Sequence, residues 1–442
     1  MIWDRNVIKR VPRALIATSL AVWLCLSLCL TLTVVPVHAQ NKPMYFPPLP
    51  QGNPNLGQVR ALTVREITNS TGVAAWHADN QRGAGVRIGV LDQGFVGITS
   101  LFERSTSRFY VPPGNTLEDY DRGITRHGTD VAEVIQIAAP RADLFLCAYI
   151  NYNEFIDCLS WMSSNDVQII NHSAGVPALP LDGSNTWARE VDRAVREDVL
   201  WVNAAGNFNQ GFIRDTFSDT TLNTYHEFRG RGIVEALVIA GSPTTAASRI
   251  LLSWEGTEAY AANEINLDLY VEDAVGNVIA SSTQSQNGSS SDVPLETVQV
   301  SRDQEIAIRV RDVNGNANLT QFVLFVEFAA LAEAEPGGSI IAPADSLSAL
   351  TVGALQGNQI APYSSRGPLV SGALKPDIAA PGEIVLSDGR QFVGTSAAAP
   401  FVAGVAAVVW GPLKSLEPVD FPAPGTFIDI ILNPEERKAW VA

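Results

Sequence analysis

From Gly85 to Asn207 the chain alternates short β-branched runs with amphipathic stretches, and this alternation limits its fold more than any other feature. Gly85 to Asp92 reads as a buried strand, and a helix opening at Arg126-His127-Gly128 ends at Pro140. Ala142 to Ile150 reads as the next strand, Asn153 to Ser164 as a helix and Val167 to Asn171 as a strand. A helix over Thr186 to Asp198 then leads into a strand over Val199 to Val202. Alternation at this short spacing predicts an α/β fold with a mainly parallel sheet and helices on both faces. Ahead of it, Thr63 to Asn80 reads as one short helix with Val73, Ala74, Ala75 and Trp76 on its apolar side.

Past residue 210 the texture changes. Short alternating runs appear at Ile250 to Ser253, Leu267 to Val271, Val278 to Ala280, Val298 to Val300, Glu305 to Val310 and Phe322 to Phe328. Turn clusters such as Asp273-Ala274-Val275-Gly276-Asn277 separate them, which predicts an all-β sandwich over 211–336. Asp312 to Asn318 superficially resembles a calcium loop, but its glycine is one place early and the terminal Glu is missing, so it reads as a hairpin turn. The α/β texture returns at Ala349 to Ala354, so the sandwich is expected as an insert between two parts of one α/β domain, 63–210 and 337–442.

The N-terminus begins basic, continues with an apolar run from Ala14 to Val35 and reaches Val37-His38-Ala39. That is a signal-peptide layout over 1–39, cleaved after Ala39. The run is also long enough to stay as an uncleaved anchor, which makes membrane tethering the alternative to a secreted or periplasmic chain. A Pro-, Gly- and Asn-rich stretch over 40–62 reads as an extended arm. The formal net charge is −16 and becomes more negative without the basic leader. So acidic a body argues against nucleic acid or an anionic membrane surface as partner. Cys25 and Cys29 leave with the signal; Cys147 and Cys158 remain, as one disulfide or as two buried thiols.

Chemistry-bearing residues stand at the ends of these elements. Asp92 closes the first strand at the carboxyl edge of the sheet, where ligands of open α/β folds gather; it also suits a turn cap. His127 stands in the first turn of its helix beside a glycine that allows close backbone approach. Gly394-Thr395-Ser396 precedes a charge-free run from Ala397 to Trp410, which reads as a helix buried on all sides. Ser396 is therefore at a helix N-terminus, where backbone N–H groups and the dipole favour negative charge. It is either an N-cap of a core helix or a nucleophile.

Four blocks decide between these readings: Val90-Leu91-Asp92-x-Gly94, His127-Gly128-Thr129-x-Val131-Ala132, Ala204-Ala205-Gly206-Asn207 and Gly394-Thr395-Ser396-x-x-x-Pro400. In this order they resemble the subtilisin-like serine proteases, and the resemblance covers most of the chain outside the leader and the insert. It implies a three-layer subtilisin-like fold and a secreted serine endopeptidase acting on protein or peptide substrates. Ser396 would be the nucleophile, His127 its base and Asp92 the residue that orients the imidazole. Asn207 would donate to the oxyanion, while Ser173-Ala174-Gly175 and Ala204-Ala205-Gly206 would edge the substrate groove. No cofactor is implied; members of the family often bind calcium, and no signature in this sequence assigns it a site.

The sequence also departs from the family pattern. Gln93 stands where Ser or Thr is usual and Ala397 where Met is common, while Asp130 and Glu133 replace the usual His and Gly of the histidine helix. Glu133 is close enough along the helix to raise the His127 pKa. The principal rival is a catalytically silent member acting as an extracellular binding module through the sandwich; an intact triad with its oxyanion Asn counts against it. An esterase of the α/β-hydrolase kind needs glycine two places after the serine, and Ala398 stands there.

Overall fold

The computed structural model describes residues 61–413 apart from 103–106, 124, 178–179, 231, 238–246, 256–264, 287–293, 302–305, 328–329, 332–333 and 336. The leader, the arm over 40–60 and the chain after 413 lie outside the described residues. In chain order the elements begin with α1 (Val64–Ser70), α2 (Val73–Ala78), β1 (Arg87–Asp92), α3 (Thr99–Phe102), β2 (Ser107–Phe109) and α4 (Leu117–Asp121). Next come α5 (His127–Ala138), β3 (Asp143–Ala148), α6 (Tyr152–Ser164), β4 (Ile169–His172), α7 (Thr186–Arg196) and β5 (Leu200–Ala204). Strands β6 (Phe212–Thr216), β7 (Val234–Leu237), β8 (Ala247–Trp254), β9 (Leu267–Asp273) and β10 (Val278–Ser282) follow. After them stand β11 (Leu295–Ser301), β12 (Ile306–Asp312), β13 (Gln321–Val326) and β14 (Ala330–Leu331). The described chain closes with β15 (Leu350–Gln356), β16 (Gln359–Ile360), β17 (Ile378–Pro381), β18 (Glu383–Val385), β19 (Gln391–Val393) and α8 (Thr395–Leu413).

Thr63 opens α1 with a capping box closed by Glu66, and the expected single helix over Thr63 to Asn80 is in fact two. Gly72 takes a left-handed φ of 77° and ends the first turn series before α2 begins, a conformation a β-carbon would resist. Asn151 and Asn185 cap α6 and α7 through side-chain oxygens that accept from Glu154 N and Ala188 N.

The main sheet has eight strands in the order β16-β15-β5-β4-β1-β3-β2, with β17 also paired to β15. All its pairings are parallel except β15 with β16. Alternate side chains leave it on opposite faces. Ile88, Val90, Leu144, Leu146 and Val202 pack with α5 and α8 residues such as Val134, Ala399 and Ala403. Leu91, Phe145, Cys147, Ile170 and Trp201 pack with Phe155, Leu159, Trp187 and Val191 of α6 and α7. A helix buried between sheet and α5 needs apolar residues around its circumference, which is why the run after Ser396 carries no charge. Cys147 and Cys158 form a disulfide with an S–S distance of 1.99 Å, so the sequence alternative of two free thiols does not hold.

Between β5 and β15 in the chain lie a five-stranded sheet, β10-β9-β12-β7-β14, and a four-stranded sheet, β11-β8-β13-β6, whose strands all pair antiparallel. Ile250, Leu252, Phe322 and Leu324 of the second meet Leu269, Val271, Ile306 and Ile308 of the first in one buried cluster. The opposite face of the same strands, through Leu251, Val323 and Phe325, enters the cluster that holds Trp187 and Trp201. The four-stranded layer is therefore apolar on both faces and continues the core of the parallel sheet. Asp312 accepts from the backbone of Asn314, Gly315 and Ala317 and closes a turn there, but β12 and β13 belong to different sheets, so the turn crosses between the layers and is not the hairpin expected from the sequence. Among the described residues no helix is long and apolar enough to cross a membrane.

Candidate active site

Strands β1, β4 and β5 and the N-termini of α5 and α8 converge on one cavity. It is lined by Asp92, His127, Ser173, Asn207 and Ser396, and by Ala174, Gly175, Ala204 and Gly206. Ala205, also expected at the groove, packs instead with Ile340, Ala344 and Leu369. Successive residues of an extended segment face opposite ways, so Ala204 and Gly206 share one side and Ala205 takes the other.

Asp92 is 1% exposed. Its Oδ1 accepts from Gln93 N at 2.8 Å, and its Oδ2 receives the His127 Nδ1–H at 2.7 Å. With Nδ1 the donor, Nε2 carries the imidazole lone pair, and it makes no hydrogen bond among the described residues. The His127 backbone N–H is held by Thr125 Oγ1 at 3.2 Å. Gly128 explains how the helix comes so near the strand. A β-carbon there would stand 2.6 Å from the Phe95 ring and 2.8 Å from Asp92 Cβ. Burial disfavours the imidazolium, but the Asp92 carboxylate outweighs it through charge and hydrogen bond, helped by Asp130 and Glu327, and the His127 pKa is raised. The sequence pointed to Glu133 for this; its carboxylate instead accepts from Ser387 N, and Asp130 and Glu327 act on the ring.

Ser396 is the second residue of α8 and 3% exposed. Its hydroxyl donates to the Ser173 carbonyl at 3.0 Å. Gly394 precedes it with φ of 118° and lies flush against the Asn207 amide, where a β-carbon would come within 3.1 Å. Thr395 fixes that amide. Its N–H and hydroxyl both donate to Asn207 Oδ1, at 3.0 and 3.1 Å, while the hydroxyl accepts from Gly206 N at 3.1 Å. With Oδ1 so engaged, the two N–H groups of Nδ2 are the part of the amide left to donate.

Sequence reasoning missed Thr395, as well as Arg249 and Glu327, which line the same cavity from β8 and from just after β13. The Arg249 Nη2 pairs with Glu327 Oε1 at 3.3 Å, and Glu327 N donates to Arg249 O at 2.9 Å. Nothing local marks these two: Arg249 is an ordinary strand residue and Glu327 an ordinary residue at a strand end until the four-stranded sheet docks. Among the described residues no group of three or more His, Cys, Asp or Glu side chains converges as a metal site.

The sequence model of the subtilase family matches residues 83–290 and 255–423 of this chain. Subtilisin DY of Bacillus licheniformis is 26% identical over 145 residues, 29% of this chain and 50% of that protein. Subtilisin E of Bacillus subtilis (strain 168) is 28% identical over 148 residues, 30% of this chain and 37% of that protein. The chain thus spans half or less of the length of these relatives. Among solved structures, the CspB protease of Clostridium perfringens aligns over 83% of this chain and 99% of that one, with 14% identity and a TM-score of 0.49.

Proposed function

The chain belongs to the subtilase family, and on that premise we propose that it is an exported serine endopeptidase using Ser396, His127 and Asp92 as a triad. The observation that carries this reading is the 2.7 Å bond from His127 Nδ1 to a buried Asp92, with Ser396 on the same cavity. A serine hydroxyl is a poor nucleophile until a base takes its proton. For the reaction, Ser396 Oγ leaves the Ser173 carbonyl and turns to His127 Nε2. Oγ attacks the scissile carbonyl carbon as its proton passes to Nε2, and Asp92 stabilises the imidazolium without taking the proton.

The carbonyl oxygen becomes an oxyanion that receives Asn207 Nδ2–H and the Ser396 backbone N–H at the start of α8. His127 then protonates the departing amine, leaving an acyl-enzyme on Ser396, and a water deprotonated by the same imidazole releases the acid. In a subtilisin, loss of one such oxyanion donor lowers turnover by about 10²–10³. Substrates on this reading are extended peptides laid along 173–175 and 204–206. Export rests on the leader over 1–39, with a secreted or periplasmic destination.

The test follows hydrolysis of an unfolded protein by the full chain and by Ser396→Ala, together with covalent labelling by a serine-directed phosphonate. Cleavage and labelling are both expected for the wild type and both lost in the variant. A folded wild type that does neither would overturn the reading and favour a binding module.

A further inference from the structure

His127 and Ser396 reach the cavity from separate elements, and a charged joint spans the two. On one side is α5, where Asp130 and Glu133 stand three and six places after His127 and share a flank of the helix. On the other is the hairpin β18–β19, whose second strand runs through Phe392 to Gly394, Thr395 and Ser396. Arg390, at the end of the hairpin turn, grips Asp130 with both terminal nitrogens: Nη1 to Oδ2 at 3.0 Å and Nη2 to Oδ1 at 2.8 Å. Asp130 also accepts from Arg126 Nε at 2.9 Å, and Asp388 accepts from Arg390 Nε at 2.7 Å while lying 3.9 Å from Arg126 Nη2. Positive and negative groups thus alternate around a closed ring. Beyond it Glu133 Oε1 takes Ser387 N at 2.5 Å.

Asp130's side chain is 3% exposed and Arg390's 25%, so this is not a pair that solvent screens away. A two-pronged guanidinium–carboxylate contact fixes orientation as well as distance. Two residues past Arg390, the Phe392 ring stands edge-on to His127 with centroids 5.4 Å apart and planes at 69°. The hairpin is at once the wall against the imidazole and the lead-in to the nucleophile.

We infer that Asp130 and Arg390 are positioning residues of the peptidase reaction: their joint sets the His127 imidazole in register with the Ser396 hydroxyl. The inference rests on the endopeptidase reading above. It makes the Asp at 130 and the Arg at 390 parts of one device that no stretch of sequence reveals. A misplacement of about 1 Å at a proton-transfer pair lowers rate by as much as ~10²-fold, whereas a merely stabilising surface pair leaves turnover per folded molecule unchanged.

The experiment uses the full chain, with active sites counted by phosphonate labelling so that misfolded molecules drop out. Arg390→Gln is expected to lower kcat per labelled site by about 30-fold with KM within about threefold, and Arg390→Lys, which keeps the charge but not the two-pronged grip, to recover only a small part of that loss. Arg87→Gln, which removes the exposed pair with Asp166, is expected to change neither. A kcat per labelled site within threefold of wild type in Arg390→Gln, or a loss visible only as fewer labelled sites, overturns the inference. The His127 ring resonance, followed by NMR, provides a readout that needs no turnover. It is expected to broaden or shift in Arg390→Gln. If the wild type neither cleaves nor labels, the endopeptidase reading fails and the inference falls with it; in a chain that cleaves, an unchanged His127 resonance overturns the positioning pair alone.

Discussion

The cleft and the core beneath it each contain a buried histidine, and the two are held in opposite ways. His127 donates from Nδ1 to the Asp92 carboxylate, and its Nε2 is buried and makes no hydrogen bond among the described residues. His172 on β4 is fully buried, with Nδ1 2.8 Å from Asn203 Oδ1 and Nε2 2.6 Å from the Tyr149 hydroxyl. Trp201 Nε1 also donates to Asn203 Oδ1 at 3.0 Å, so that oxygen is an acceptor and His172 Nδ1 is the donor. His172 Nε2 then accepts from Tyr149. The two rings share one tautomer. What differs is the charge on the Nδ1 partner and whether Nε2 is already occupied. Burial dominates at His172, outweighing its bond to Asn203, and lowers its pKa to about 4; at His127 the carboxylate reverses the effect of burial. A carboxylate at one nitrogen and room at the other make a base, and neutral partners at both make a structural ring.

The largest effect should come from removing that carboxylate's charge. Asp92→Asn is expected to lower kcat by about 10⁴-fold while the chain stays folded, measured on active sites counted by labelling. A loss below tenfold would erase the distinction between the two histidines.

Next in size is the pH response of the core ring. His172 is neutral in the fold with a pKa of about 4, whereas an ordinary histidine titrates near 6.5. Its contribution is therefore present above pH 6.5 and is lost as pH falls toward 4, because only the unfolded chain takes up the proton in that window. The change amounts to roughly 3 kcal/mol at 1.36 kcal/mol per unit. Denaturant unfolding of wild type and His172→Asn at pH 7 and pH 4.5 checks it; equal pH dependence in the two chains would contradict the assignment.

The smallest effect sharpens the other side of the comparison. The His127 pKa is raised, so the acid limb of kcat/KM should lie above 6.5, where the imidazole loses its proton and becomes a base. Glu327 adds to that rise from the four-stranded sheet's side of the cavity, and Glu327→Gln should move the limb to lower pH. A shift upward, or none, would show that Glu327 does not act on the ring.

Much of the architecture was legible because it follows from local periodicity. The strands at Arg87–Asp92 and Leu200–Ala204 and the helices at His127–Ala138 and Thr186–Arg196 lie where β-branched runs and capping residues place them. Boundaries drifted by a few residues, as at Leu267–Asp273, because strand ends are set by partners rather than by their own composition. The break at Thr71-Gly72 was missed because Val73 to Trp76 continues the apolar pattern across it. In the candidate site, Asp92, His127, Asn207 and Ser396 stood out through their flanking glycines and small residues, which are the local cost of close approach. Thr395, Arg249, Glu327 and the pairing of Asp130 with Arg390 did not.

The sequence by itself determined the α/β alternation, the charge-free helix after Ser396 and the order in which the reactive residue types occur. These depend on neighbours a few places away. Only the tertiary structure decided that Asp92 faces Nδ1 of His127, that Cys147 and Cys158 are joined, that Ala205 turns from the cavity while Arg249 and Glu327 enter it, and that Arg390 locks onto Asp130. Each of these joins residues brought together by packing across separate elements. Hydrogen bonds and ion pairs act over about 3 Å, and only the packed fold supplies that proximity.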